Sequence, residues 1–185
     1  MRVEIVEEAE GAAQPSALPP EENYFDLRAN PRSIEQIPEA RQYLPLRNFL
    51  TSINGVESVF ATTGAAAKAD SPAAVSAGLA HEFASQIRIV FATLSLNSER
   101  KHYADLCAGM RELLKRDSAE AARVVLRIST CEFTAENRPG YCLDIRLVAE
   151  GGSPQQAELR WGLGLARIQQ ALLFLSRALK QKIAE

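Results

Sequence analysis

The sequence predicts an α+β fold: an antiparallel β-sheet with helices packed on one face and a long C-terminal helix. Three observations carry this. Residues 123–133 and 141–149 alternate apolar and polar side chains on either side of a turn cluster, which is the pattern of an antiparallel hairpin. Residues 98–116 and 165–179 repeat apolar side chains at steps of three and four, the pattern of amphipathic helices. The order of helices, strands, helix, strands, helix suits helices gathered on one side of a sheet.

Taken in order, residues 1–22 form an acidic, proline-containing arm ahead of a single domain over 23–185. Val3 and Ile5 allow one short strand that would add to a sheet edge, that of another copy included. Gly11 to Pro20 has three prolines and no hydrophobic period, so it reads as a linker, and residues 1–20 are expected to be dispensable for folding. Asn23 to Leu27 is an apolar anchor. Ser33 with Gln36 has capping-box spacing, and Pro38 and Pro45 suit first helical turns, so two short helices are expected. Leu46, Phe49, Leu50 and Ile53 line the second helix, and Asn54-Gly55 ends it. Val56–Thr63 reads as a strand and the alanine-rich 64–74 as a surface loop. Residues 75–96 read mainly as strand, with Gly78 as a turn and Ile87, Ile89 and Phe91 on one face against Arg88 on the other.

Ser98 is the expected cap of a helix whose core face is Tyr103, Leu106, Cys107, Met110, Leu113 and Leu114, with Lys115 and Arg116 in its last turn. Val124, Leu126 and Ile128 share one face of the first hairpin strand and Leu143, Ile145, Leu147 and Ala149 one face of the second, with Glu136–Gly140 as the turn. Residues 157–163 are ambiguous, because Leu159, Trp161 and Leu163 also alternate as in a strand. Ser153-Pro-Gln-Gln156 favours a helix starting there, bent at Gly162 and Gly164 and running to about 183. No internal repeat interrupts this order.

Composition sets bounds on function. The chain has 185 residues, 46% hydrophobic and 24% charged, enough for one core. Its net charge of −2 conceals an asymmetry: residues 1–26 hold seven acids against Arg2 alone, and the remainder is mildly basic. No basic stripe interleaves with aromatics, so nucleic-acid binding is not expected. No apolar run reaches membrane-span length, so no membrane partner is expected either. The acidic start lacks the character of a targeting signal, and a cytoplasmic location is expected.

Motifs for chemistry fall short in each case. His81-Glu82 has serine at position 85 where a zinc-protease helix needs its second histidine. His102 and Cys107 lie five apart, on different sides of a helix. Gly64–Lys68 lacks the second glycine and the hydroxyl of a phosphate loop, and Gly162-x-Gly164 lacks the third glycine of a dinucleotide site. No catalytic, metal-ligating or cofactor-binding residues are assigned, and no cofactor is expected. Cys107, Cys131 and Cys142 read as buried free thiols. If Ile128 faced Ile145, Cys131 would fall opposite Cys142 and a cross-strand disulfide would be conceivable. Asp105, Glu112, Asp144 and Glu158 read as solvent-facing.

Two functional expectations follow. The first is a non-enzymatic interaction protein, adaptor- or chaperone-like, acting with a protein partner or as a homodimer. The last helix has a wide apolar face, with Leu173 and Phe174 beside the stripe that would cover the sheet, so these two and Trp161 are the candidate interface. The alternative is a small-molecule-binding protein or enzyme with a pocket between the sheet and the C-terminal helix, for which His81, Arg88 and His102 are the polar candidates.

Overall fold

The structure is a computed structural model and describes residues 1–7, 25–70, 81–115, 122–133 and 138–184. Five strands form one sheet: β1 (Arg2–Glu7), β2 (Phe60–Asp70), β3 (His81–Phe91), β4 (Ala122–Phe133) and β5 (Arg138–Gly151). Four helices accompany them: α1 (Pro38–Gln42), α2 (Leu44–Ile53), α3 (Arg100–Lys115) and α4 (Pro154–Ala184). The strand order is β1-β4-β5-β3-β2. All neighbours are antiparallel except β1 and β4, which run parallel. The α+β class, the sheet with helices on one face and the long last helix are those the sequence predicts.

The alternation of each strand decides which face is buried. Val124, Leu126 and Ile128 of β4, Leu143, Ile145 and Leu147 of β5, and Ile87, Ile89 and Phe91 of β3 are all at most 4% exposed. Against them lie Tyr103, Leu106, Cys107 and Met110 of α3 and Trp161, Leu165, Ile168 and Leu172 of α4. Pro38 opens α1 and Pro45 sits in the first turn of α2, as their missing N–H groups favour. At the end of α2 the Asn54 amide donates to the Leu50 carbonyl at 2.8 Å and to Thr62 Oγ1 at 2.7 Å, fastening the helix to β2.

Several local expectations are corrected. Residues 64–70 are not loop but continue β2, paired along β3 down to Asp70 and Glu82, with a bulge between Thr62 and Gly64. The strand starts at Phe60 rather than Val56, which is exposed in the preceding turn. β3 ends at Phe91, and Leu94–Ser98 is a 3-10 turn. Ser98 therefore does not cap α3; its hydroxyl donates to the Ser95 carbonyl at 2.7 Å. Ser33 is buried inside a second 3-10 turn, Pro31–Gln36, that precedes α1. The linker over 11–20, the turns at Gly78 and 136–137, and Arg116 lie outside the described residues.

β1 belongs to the chain's own sheet, with Val3 beside Val124 and Ile5 beside Leu126, and Met1 is 8% exposed at the core. The first seven residues of the arm are thus part of the fold. The hairpin register also differs from the one that would align the cysteines: Ile128 faces Leu143, Ser129 faces Cys142 and Cys131 faces Gly140. Cys107, Cys131 and Cys142 form no disulfide.

The ambiguous segment 157–163 is helix. Ser153 Oγ accepts the Gln156 N–H at 3.2 Å, and Gln156 Oε1 accepts the Gly152 N–H at 2.6 Å, so the capping pair read from the sequence forms. The two glycines that follow serve close approach. A Cβ on Gly162 would stand 3.0 Å from the Pro45 ring, and one on Gly164 would stand 3.1 Å from Leu147. Between them they let α4 settle against α2 on one side and the sheet on another.

Candidate functional site

The helix α4 carries two apolar faces. The inner one, Ala157, Trp161, Leu165, Ile168 and Leu172, advances by three or four residues and is at most 1% exposed. Trp161 sits beneath Tyr43 and Phe83, with ring centroids at 5.8 and 4.5 Å, and its indole N–H donates to Ser85 Oγ at 2.8 Å. A fully buried tryptophan whose indole N–H is satisfied and which packs against two aromatic rings is a core residue. It has no surface to offer a partner, which removes it from the interface suggested by its sequence.

The outer face is different. Leu159, Leu163 and Phe174 are 65%, 56% and 59% exposed, in line with the exposed Ala166 and Gln170 at helical spacing. Leu173 is half-buried at the margin of this row, packed against the core. Leu44 is also exposed, next to the Pro45 that meets Gly162. The flanks of α4 are fixed by polar ties. Gln169 donates to Ser52 Oγ at 3.0 Å, and Ser176 donates to the Glu57 carbonyl at 3.2 Å while accepting the Val59 N–H at 2.8 Å. On the α3 side, a Cβ on Gly109 would come within 2.8 Å of Leu175. The helix cannot roll to hide its outer row without breaking these contacts. Leu159 and Leu163 were legible as part of this row once 157–163 is taken as helix, because they precede Phe174 by fifteen and eleven residues, four turns and three.

The three polar candidates for a pocket do not meet. Arg88 points from the face of the sheet opposite α4, where its guanidinium holds Asp144 at 2.8 and 3.2 Å. His81 opens β3 opposite Gly151, whereas His102 lies by Phe91 at the other end of that strand, with ring centroids at 6.3 Å. Leu94, Asn97, Ser98, Phe133, Arg138 and Pro139 line a shallow depression too narrow for a water molecule, away from the space between β3 and α4. Among the described residues no three His, Cys, Asp or Glu side chains group as a metal site, and no helix is long and apolar enough to cross a membrane.

The sheet face opposite α4 holds a polar cluster that the sequence reading missed. Asp144 was expected in solvent but is 6% exposed, accepting from Arg88 and, at 2.8 Å, from Ser129 Oγ. Beside it lie Cys131 and Cys142, and the Cys142 thiol donates to the Ser129 carbonyl at 3.5 Å. The neighbouring Cys142 holds the Cys131 thiol below the usual range, with burial and the Asp144 charge opposing and Arg88 assisting. The closeness of Cys131, with burial, pushes Cys142 up. The signal available was the parity of the strands, which places residues 88, 129, 131, 142 and 144 on one face. Comparison with protein-family models, curated proteins and solved structures finds no match for this chain.

Proposed function

We propose that this chain is a non-enzymatic interaction protein, adaptor- or chaperone-like and cytoplasmic, that works as a homodimer joined through the outer face of α4. The observation that carries the reading is the exposed row Leu159, Leu163 and Phe174 on a helix whose inner face is already saturated. Apolar side chains aligned at helical spacing in water favour a second apolar surface. A second copy is the simplest occupant, because the row is self-complementary. It has bulky side chains near both ends and Ala166 and Gln170 between them. An antiparallel crossing about a two-fold axis near those residues sets Phe174 of one copy over Leu159 and Leu163 of the other. The same crossing brings the exposed Glu158 and Arg177 of opposite copies towards each other.

Light scattering of the purified protein across a concentration series tests this. A dimer mass is expected, converted to monomer by Phe174→Glu or Leu163→Glu with the circular dichroism spectrum unchanged. A monomer mass at every concentration would overturn the proposal. His81, Arg88 and His102 do not converge between sheet and helix, which disfavours a pocket there.

A further inference from the structure

We propose that Cys131 and Cys142 form a thiol-oxidation site on the sheet face opposite α4, in which a hydroperoxide reacts at Cys131 and Cys142 resolves the product as a disulfide. The inference is independent of the α4 interface and rests on four features of the hairpin.

The first is placement. Ser129 faces Cys142 and Cys131 faces Gly140, so the two cysteines are diagonal neighbours across β4 and β5 on the same face. Gly140 has no side chain, so Cys142 is the cross-strand group available to Cys131. The second is contact: the Cys142 thiol donates to the carbonyl of Ser129, two residues before Cys131, at 3.5 Å, and each thiol acts on the protonation of the other. The third is unequal access. Cys131 is partly exposed while Cys142 is fully buried, as a reagent-facing thiol and a shielded resolving thiol should be. The fourth is the local field. Arg88 is held in place by two bonds to Asp144; at Cys131 its positive charge outweighs the opposing charge of Asp144, whereas at Cys142 Asp144 outweighs it, which favours the thiolate at Cys131.

The chemistry balances. The Cys131 thiolate attacks the outer oxygen of the hydroperoxide and breaks the O–O bond, giving a sulfenic acid and an alcohol. The Cys142 sulfur then attacks the Cys131 sulfur, and the hydroxyl leaves as water. Two thiols lose two electrons and two protons in all, and one hydroperoxide becomes alcohol and water. Diagonal Cα atoms in a sheet lie about 7–8 Å apart, at or beyond the reach of a relaxed disulfide. The bridge must therefore shift β4 along β5, and it is readily reduced again.

The test uses the full chain, reduced and then treated with one equivalent of cumene hydroperoxide. Remaining thiols are alkylated in denaturant and the peptides mapped by mass spectrometry. A linked Cys131–Cys142 peptide lighter by two hydrogens is expected, with Cys107 fully alkylated. In Cys142→Ser, oxidation should stop at a sulfenic acid on Cys131 that dimedone captures; in Cys131→Ser, Cys142 should stay reduced. Native Cys131 should also be alkylated at least about tenfold faster than native Cys142. Three free thiols after treatment, a link to Cys107 or a link between chains would overturn the proposal. The wild-type map decides even if a serine variant fails to fold.

Discussion

Tyr103 is fully buried, its hydroxyl donates to Asn97 Oδ1, and burial raises its phenol above the ordinary range. Ionisation is then easier in the unfolded chain, which binds fewer protons than the folded one above about pH 10. Stability from this group is complete below that pH and falls as pH rises, so the urea midpoint should drop between pH 9 and 11. Tyr103→Phe should flatten that drop. The pair Arg88–Asp144 makes a different kind of prediction, about the loss of one partner. Arg88→Met strands a carboxylate that is 6% exposed and should cost about 3–5 kcal/mol in chemical denaturation. The double change Arg88→Met with Asp144→Leu should recover most of that loss. Neither pairing is legible from sequence, because position 88 finds position 144 only once β3 lies against β5. Trp161 shows the same limit. Its neighbours are Phe83 and Ser85 of β3 and Tyr43 between α1 and α2, and its burial follows from all of them together.

At the scale of elements, local signals served well where chemistry acts over a few residues. The Ser153–Gln156 pair marked the start of α4, and Ser153→Ala should cost about 1 kcal/mol in thermal or urea unfolding. The apolar faces of α2 and α3 were legible from spacing alone, and Leu106→Ala on α3 should cost about 2–5 kcal/mol. Where pairing decides, the sequence said less. Residues 64–70 are alanine-rich and have low strand propensity, yet they lie in β2 because β3 supplies a continuous partner. The hairpin register was open because a shift of two residues keeps every side chain on its own face; only a shift of one exchanges the faces. The strand at the start of the chain carried its alternation in Val3 and Ile5, but nothing in those residues named β4 as their neighbour. Removing residues 1–7 takes away the strand paired to β4 and the Met1 side chain near Gly164, and should lower the melting temperature clearly.

For the whole molecule, Trp161 is a convenient reporter, since it is the single tryptophan and lies where α4, β3 and the start of α2 meet. Its emission should shift to the red on unfolding with the same midpoint as far-ultraviolet circular dichroism, and two separate midpoints would divide α4 from the sheet. The fold class was legible from the element order, but the parallel pair was not, because that contact joins the two most distant strands in sequence that touch. That contact has a consequence in time. During synthesis the strand beginning at Arg2 leaves the ribosome well before its neighbour in the sheet, beginning at Ala122, which is made only after the intervening helices and strands. At roughly 5–20 residues per second, the nascent chain carries an unmatched strand for on the order of ten seconds. Val3 and Ile5 are then exposed beside Glu4 and Glu7, whose negative charges repel like segments on neighbouring nascent chains. The acidic residues of this strand thus guard the chain before the sheet exists to hold it.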